Sequence, residues 1–154
     1  EICLYHITGN LEYDKIVREL GLTDGKSFGK GSRIIKYEYD MPAVLAAADL
    51  IICRAGAVSL AELAARELPS ILIPYPYASG DHQTFNARVF VKAEAAKMIA
   101  DKYVTEKELI QDINDFRHQP ETLERMSEAT KKIKKIYAGV DIAQLALEMT
   151  ENKK

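Results

Sequence analysis

Short apolar runs alternate along this chain with stretches of helical spacing, and that alternation constrains its fold more than any other feature. The runs are ICLYHI (2–7), RIIKYEY (33–39), DLIIC (49–53), SILIP (70–74) and AKMIA (96–100). Between them lie LEYDKIVREL (11–20), a short PAVLAAA opened by Pro42, VSLAELAAREL (58–68) and HQTFNARVFVKAEA (82–95). Pro suits a first helical turn, and Gly21 is placed to stop the first helix. Apolar runs of about five residues, each followed by a helix, are the signature of a parallel sheet covered on both faces. The expected fold class is therefore α/β, with a Rossmann-like parallel sheet and a helical tail. Thr105 and Glu108 read as a capping box for the tail, which is broken near Pro120 and Gly139.

Ligands of such sheets bind outside the carboxyl ends of the strands. The informative residues are then Thr8-Gly9, Tyr37-Glu38, Arg54-Ala55-Gly56 and the stretch from Pro74 to Gln83. The glycines of TDGKSFGKGS (23–32) fit neither GxxxxGK[ST] nor GxGxxG, so this segment reads as a plain loop.

Bulk properties narrow the function. A length of 154 residues suits one domain with a real core, and the net charge of −2 argues against a general nucleic-acid binder. No apolar run approaches the roughly 18–20 residues needed to span a bilayer. The start, EICLYHITGN, lacks a basic n-region and so is not a signal peptide. It enters an apolar run at once and without Met, as expected of a chain cut from a longer one. Cys3 and Cys53 stand singly, which suits a reducing cytoplasm and neither a disulfide framework nor a zinc site. A buried strand position accounts for Cys53 better than an activated thiol beside Arg54.

The segment from Arg54 to Glu62 is the richest in chemistry. Gly56 permits a tight turn and a close ligand approach. The residues after it open a helix whose free N–H groups favour an anion such as a pyrophosphate. Ser59 adds a hydroxyl, and Glu62 lies one turn on along the same face. A carboxylate there can accept two hydrogen bonds from a ribose diol. Ser59-x-x-Glu62 is equally a capping box, which needs no ligand.

YPYASGDHQTFNA (75–87) also admits two readings. Gly80 or Asp81 can cap the following helix, so that His82 and Gln83 project from its first turn toward sugar hydroxyls. No second ligand stands four residues from His82, and no metal site is expected. No Gly-x-Ser-x-Gly elbow supports a serine hydrolase. The lysines at 131, 132, 134 and 135 read as a solvated helix face rather than a membrane contact.

DLIICRAGAVSLAELAARELPSILIPYPYASGDHQTFNA (49–87), with YHITG (5–9) and YEYDMPAVLAAAD (37–49), closely resembles the MurG family of peptidoglycan glycosyltransferases. The R-[SA]-G-A-x-[ST]-x-x-E core followed by the DHQ…NA segment carries the resemblance, which covers about residues 2 to 100. It implies the carboxy-terminal, donor-binding half of a two-domain GT-B enzyme. That half binds UDP-N-acetylglucosamine, and the other takes the lipid-linked acceptor, undecaprenyl-pyrophosphoryl-muramoyl-pentapeptide. Residues 1–154 then form a single nucleotide-sugar domain, truncated on its amino-terminal side and lacking the family's GGS loop. Carried over, Glu62 would hold the ribose hydroxyls. Arg54 and the backbone of Gly56, Ala57, Val58 and Ser59 would lie against the nucleotide-sugar. Tyr37 and Glu38 would bracket uracil, Glu38 through its backbone, and His82 and Gln83 would face the N-acetylglucosamine. The catalytic base is expected in the other domain, and no cofactor or metal is implied. The resemblance implies a cytoplasmic protein, peripheral on the inner face of the bacterial plasma membrane, whose membrane contact belongs to the full-length enzyme.

Two other classes fit the same residues. One is a different GT-B nucleotide-sugar enzyme, such as a glycolipid synthase or a UDP-sugar epimerase. The other is a non-catalytic nucleotide-sugar binding module.

Overall fold

The computed structural model describes residues 2–22, 27–29, 31–135 and 137–151. Thr23 to Lys26 and Lys30, within the glycine-bearing loop, lie outside the described residues. The chain forms two compact units, Glu1–Val44 and Leu45–Lys154.

In the first unit, strand β1 (Tyr5–Ile7) pairs in parallel with β3 (Ser32–Ile35), with His6 opposite Ile34. Helix α1 (Gly9–Glu19) joins them, the right connection for parallel strands. The segment expected to be a plain loop differs in one respect. Ser27–Phe28 forms a two-residue strand, β2, antiparallel to β3. A ladder this short leaves no apolar periodicity to read. Ile34 is fully buried at the centre of the unit. Helix α2 (Met41–Ala47) follows, with Pro42 in its first turn as expected, and the division between the units falls within it.

The second unit holds three parallel strands in the order β4 (Ile51–Cys53), β5 (Ser70–Leu72), β6 (Ala96–Met98). The central strand is sealed, with Ser70, Ile71 and Leu72 all at 0% exposure. Helices α3 (Ala57–Arg66) and α4 (His82–Lys92) make the two crossovers. In α3 the buried positions are Leu60, Leu63 and Ala64, the i, i+3, i+4 stripe of an amphipathic helix. Ala87 and Phe90 play the same part in α4. Parallel pairing linked by helices is the expected architecture, arranged as two three-stranded sheets.

The tail comprises α5 (Glu106–His118), α6 (Pro120–Ile133) and α7 (Ala138–Glu151). The Thr105 side chain accepts from Glu108 N–H at 3.1 Å and so caps α5, but among the described residues the Glu108 side chain makes no return bond, and only half of the expected capping box forms. Pro120 begins α6 as expected, whereas Gly139 sits inside the first turn of α7 and the interruption precedes it. No described helix is long and apolar enough to cross a membrane.

Candidate functional site

Parallel register decides what meets at the carboxyl ends of β4, β5 and β6. Cys53 pairs with Leu72, and Leu72 with Met98. The residues just past these three ends therefore come together although the sequence separates them widely. Arg54 Nη1 donates to the carbonyl oxygens of Ile73 (3.3 Å) and Pro74 (3.2 Å) and to Asp101 Oδ1 (2.5 Å). Its guanidinium also lies 5.6 Å from the centre of the Tyr75 ring, within cation–π range. Arg54 thus ties the ends of all three strands, and half of its side chain stays exposed.

Ala55 and Gly56 lead from β4 into α3. Gly56 is the N-cap residue at φ −67°, ψ 144°, and no side chain caps the helix. The capping box expected from Ser59 and Glu62 does not form. The helix starts three residues earlier than that pattern requires, so Ser59 is already its third residue. The tight turn expected at Gly56 is also absent, because its backbone is one any residue can adopt. A Cβ there would meet only Ser59 Oγ, at 3.9 Å, among the described atoms. The chain's own packing therefore does not demand glycine.

The helix end is bare. Leu60 N–H makes the first bond of α3, to Gly56 O at 3.0 Å. The N–H groups of Ala57, Val58 and Ser59 precede it and have no partner among the described residues. Glu62 stands exposed one turn on. Its carboxylate forms no hydrogen bond or ion pair among the described residues. Three donors and one carboxylate at a helix end can together hold an anion and a diol.

The third contribution comes from the loop after β5. Gly80 and Asp81 both adopt left-handed backbone, at φ 58° and φ 54°. Glycine and aspartate tolerate that region better than most residues. This bend starts α4 at His82, with Asp81 as N-cap residue but without a side-chain cap bond. His82 Nδ1 lies 2.7 Å from Ser79 O. A carbonyl only accepts, so Nδ1 carries the proton, and in the neutral ring Nε2 is left as an acceptor. Gln83 Oε1 accepts from Ala55 N–H (3.1 Å) and from Tyr75 N–H (3.0 Å). The Gln83 NH₂ group has no partner among the described residues. Asn86 Nδ2 donates to Ala55 O at 3.2 Å.

Tyr37 and Glu38 belong to the first unit. Tyr37 is exposed and meets Tyr39 edge-on, with ring centres 4.9 Å apart. Glu38 receives the Tyr5 hydroxyl at 2.5 Å and Asp40 N–H at 2.7 Å. The Tyr5 bond, then the Asp40 bond, hold the Glu38 carboxyl below its ordinary range. The Glu38 side chain is thus occupied. Cys53 is not an activated thiol, since burial pushes its pKa up to about 11. Among the described residues no group of three or more His, Cys, Asp or Glu side chains is arranged to hold a metal ion.

Residues 1–140 match the glycosyltransferase family 28 C-terminal domain. The chain belongs to that family. A UDP-N-acetylglucosamine--N-acetylmuramyl-(pentapeptide) pyrophosphoryl-undecaprenol N-acetylglucosamine transferase of Syntrophus aciditrophicus is 42% identical over 142 residues. That match spans 88% of this chain and 39% of the relative. A transferase of the same name from Thermoanaerobacter sp. (strain X514) is 40% identical over 144 residues, spanning 94% of this chain and 39% of the relative. The chain thus spans well under half of the length of these relatives. The crystal structure of Acinetobacter baumannii MurG superposes with a TM-score of 0.80 at 23% identity, covering 96% of this chain and 41% of that one. This is a likeness of fold, and it places the chain on the carboxy-terminal half of a GT-B architecture.

For a glycosyltransferase family 28 C-terminal domain, two residues of this surface escaped the sequence reading. Asp101 lies outside the motif-bearing segment, and only the β4–β5 and β5–β6 registers together bring it to Arg54. Asn86 was visible in the DHQ…NA pattern, and its spacing of three from Gln83 put both on one helix face. Nothing in the sequence said that this face meets Ala55.

Proposed function

We propose that this chain is the donor-binding half of an inverting glycosyltransferase. The whole enzyme would transfer N-acetylglucosamine from UDP-N-acetylglucosamine to undecaprenyl-pyrophosphoryl-muramoyl-pentapeptide. The observation that carries this reading is the uncapped N-terminus of α3, with Gly56 at its mouth and the unpaired Glu62 one turn on. Family membership and the names of the relatives support it.

In this reading the N–H groups of Ala57, Val58 and Ser59 receive the diphosphate, helped by the helix dipole. As the sugar departs, negative charge grows on the phosphate oxygen that it leaves. Fixed N–H donors aimed there bind the transition state better than the ground state, which is what accelerates the reaction. Glu62 accepts from the two ribose hydroxyls. Arg54 borders the nucleotide-sugar through the N–H groups it does not spend on Ile73, Pro74 and Asp101. His82 Nε2 offers an acceptor to the N-acetylglucosamine, and the Gln83 NH₂ group offers donors. The acceptor lipid, the general base and a peripheral seat on the cytoplasmic face of the membrane belong to the whole enzyme. Nucleic acid is no partner.

Competition measured by saturation-transfer NMR tests the donor assignment. UDP-N-acetylglucosamine and UDP are expected to displace each other, and ADP-glucose to displace neither. Preferential binding of ADP-glucose would contradict the reading. Residues 1–154 assayed alone are expected to give no measurable transfer, because positioning of the acceptor, worth about 7–11 kcal/mol, lies elsewhere in this scheme.

A further inference from the structure

We propose that Gln83 and Asn86 are positioning residues, which hold both backbone polar groups of Ala55 and so fix the turn that presents the bare α3 N-terminus to a nucleotide diphosphate. The assignment rests on the donor-binding reading above and adds to it a device that no motif names.

Ala55 is fully buried, at 0% exposure, and sits between the end of β4 and the N-cap residue of α3. In neither a strand nor a helix, its N–H and C=O need partners that secondary structure does not supply. Both come from one face of α4. Ala55 N–H donates to Gln83 Oε1 at 3.1 Å, and Ala55 O accepts from Asn86 Nδ2 at 3.2 Å. The orientation of the Gln83 amide is not free. Two N–H donors, of Ala55 and Tyr75, converge on one atom, which must therefore be the carbonyl oxygen. One side chain thus also ties the turn after β4 to the loop after β5. Gly56, the next residue, has an ordinary extended backbone and no side chain to lock it. The direction in which Ala57, Val58 and Ser59 point their N–H groups is inherited from the Ala55 backbone.

The chemistry at the two positions is opposite, and this makes the claim testable. Position 83 needs an acceptor, and position 86 needs a donor. Asn86→Asp sets a carboxylate oxygen against Ala55 O. Gln83→Glu keeps an acceptor for both N–H groups, and Gln83→Ala removes it. UDP is titrated into the full chain and its variants by NMR, with thermal melts run alongside. Asn86→Asp is expected to weaken UDP binding by about tenfold or more, the scale set by losing a hydrogen bond to a buried group. Gln83→Glu is expected to recover most of the affinity that Gln83→Ala loses. A merely structural role would lower the melting temperature and leave the affinity of the folded molecules unchanged. Asn86→Asp binding UDP as tightly as the wild type overturns the assignment, as does Gln83→Glu binding no better than Gln83→Ala. Should Asn86→Asp fail to fold, Asn86→Ala is read in its place by the same criterion. Failure of the wild-type chain to bind UDP overturns the donor-binding reading, and this assignment with it. Normal wild-type binding with unaffected variants overturns this assignment alone.

Discussion

Arg54 Nη1 lies 2.5 Å from Asp101 Oδ1, joining two residues 47 positions apart in the sequence. The contact is partly solvent-exposed, at 49% for the arginine side chain and 36% for the aspartate, so its charge attraction is screened. Asp101→Asn is therefore expected to cost less than about 1 kcal/mol of stability in urea unfolding. Arg54→Ala removes the bonds to Ile73 O and Pro74 O as well and is expected to cost about 1–2 kcal/mol. Arg54→Lys should recover little, since an ammonium lacks the planar fork of a guanidinium. Equal stabilities of Asp101→Asn and Arg54→Ala would show that the carbonyl bonds contribute nothing.

Glu62→Gln separates ligand binding from helix capping. The carboxylate caps nothing, because α3 begins at Ala57 and Ser59 lies inside it. The melting temperature should stay in place, while UDP affinity falls by about 1–3 kcal/mol as a charged hydrogen-bond partner is lost. Titration calorimetry beside a thermal melt reads both. A lowered melting temperature with unchanged affinity would remove Glu62 from the ribose.

Cys53 and Cys3 should differ in reactivity. Burial lifts the Cys53 pKa to about 11, so little thiolate forms at pH 8, whereas Cys3 is exposed. A disulfide-exchange reagent at pH 8 is expected to label one thiol per folded chain promptly and the second only as urea unfolds the protein. Equal rates at both thiols would contradict the desolvation of Cys53, which is half-buried rather than sealed in its strand.

The Tyr5–Glu38 contact makes a pH-dependent contribution to the first unit. Glu38 is depressed, chiefly by the Tyr5 hydroxyl. Its contribution is complete above the ordinary carboxylate range and is lost as pH falls through the folded value. Tyr5 is raised from 10.0, chiefly by its bond to Glu38. Its contribution is complete below the ordinary tyrosine value and is lost as pH rises through the folded one. Glu38→Gln should bring the Tyr5 titration, followed by NMR of the ring carbons, back toward 10.0. No movement would mean that the two side chains do not meet in solution.

Much of the architecture was legible because burial writes itself into composition. SILIP is apolar because β5 is sealed at the centre of its sheet, and Leu60, Leu63 and Ala64 repeat at helical spacing because one face of α3 is buried. DLIIC reads as equally buried, yet in β4 Ile51 and Cys53 are half-buried and Ile52 is exposed. Local patterns misled where two structures share one signature. Ser59-x-x-Glu62 satisfies a capping box, yet the helix had already started at Ala57. The candidate surface was expected as a set of residue types after strand ends. Which of them support one another was not, because the contacts of Arg54 with Asp101 and of Gln83 with Ala55 depend on strand register and helix docking. These arise only when the whole unit assembles.

In the proposed function the bare end of α3 grips a nucleotide diphosphate. The most direct measurement is a titration of the isotope-labelled chain with UDP-N-acetylglucosamine, followed amide by amide in EDTA and again with magnesium. The predicted result is saturable shifts at Ala57, Val58 and Ser59, equal in both buffers. The affinity expected lies between a few hundred micromolar and millimolar, about −4 to −5 kcal/mol. Unmoved amides at these three residues, or binding that appears only with magnesium, would contradict it.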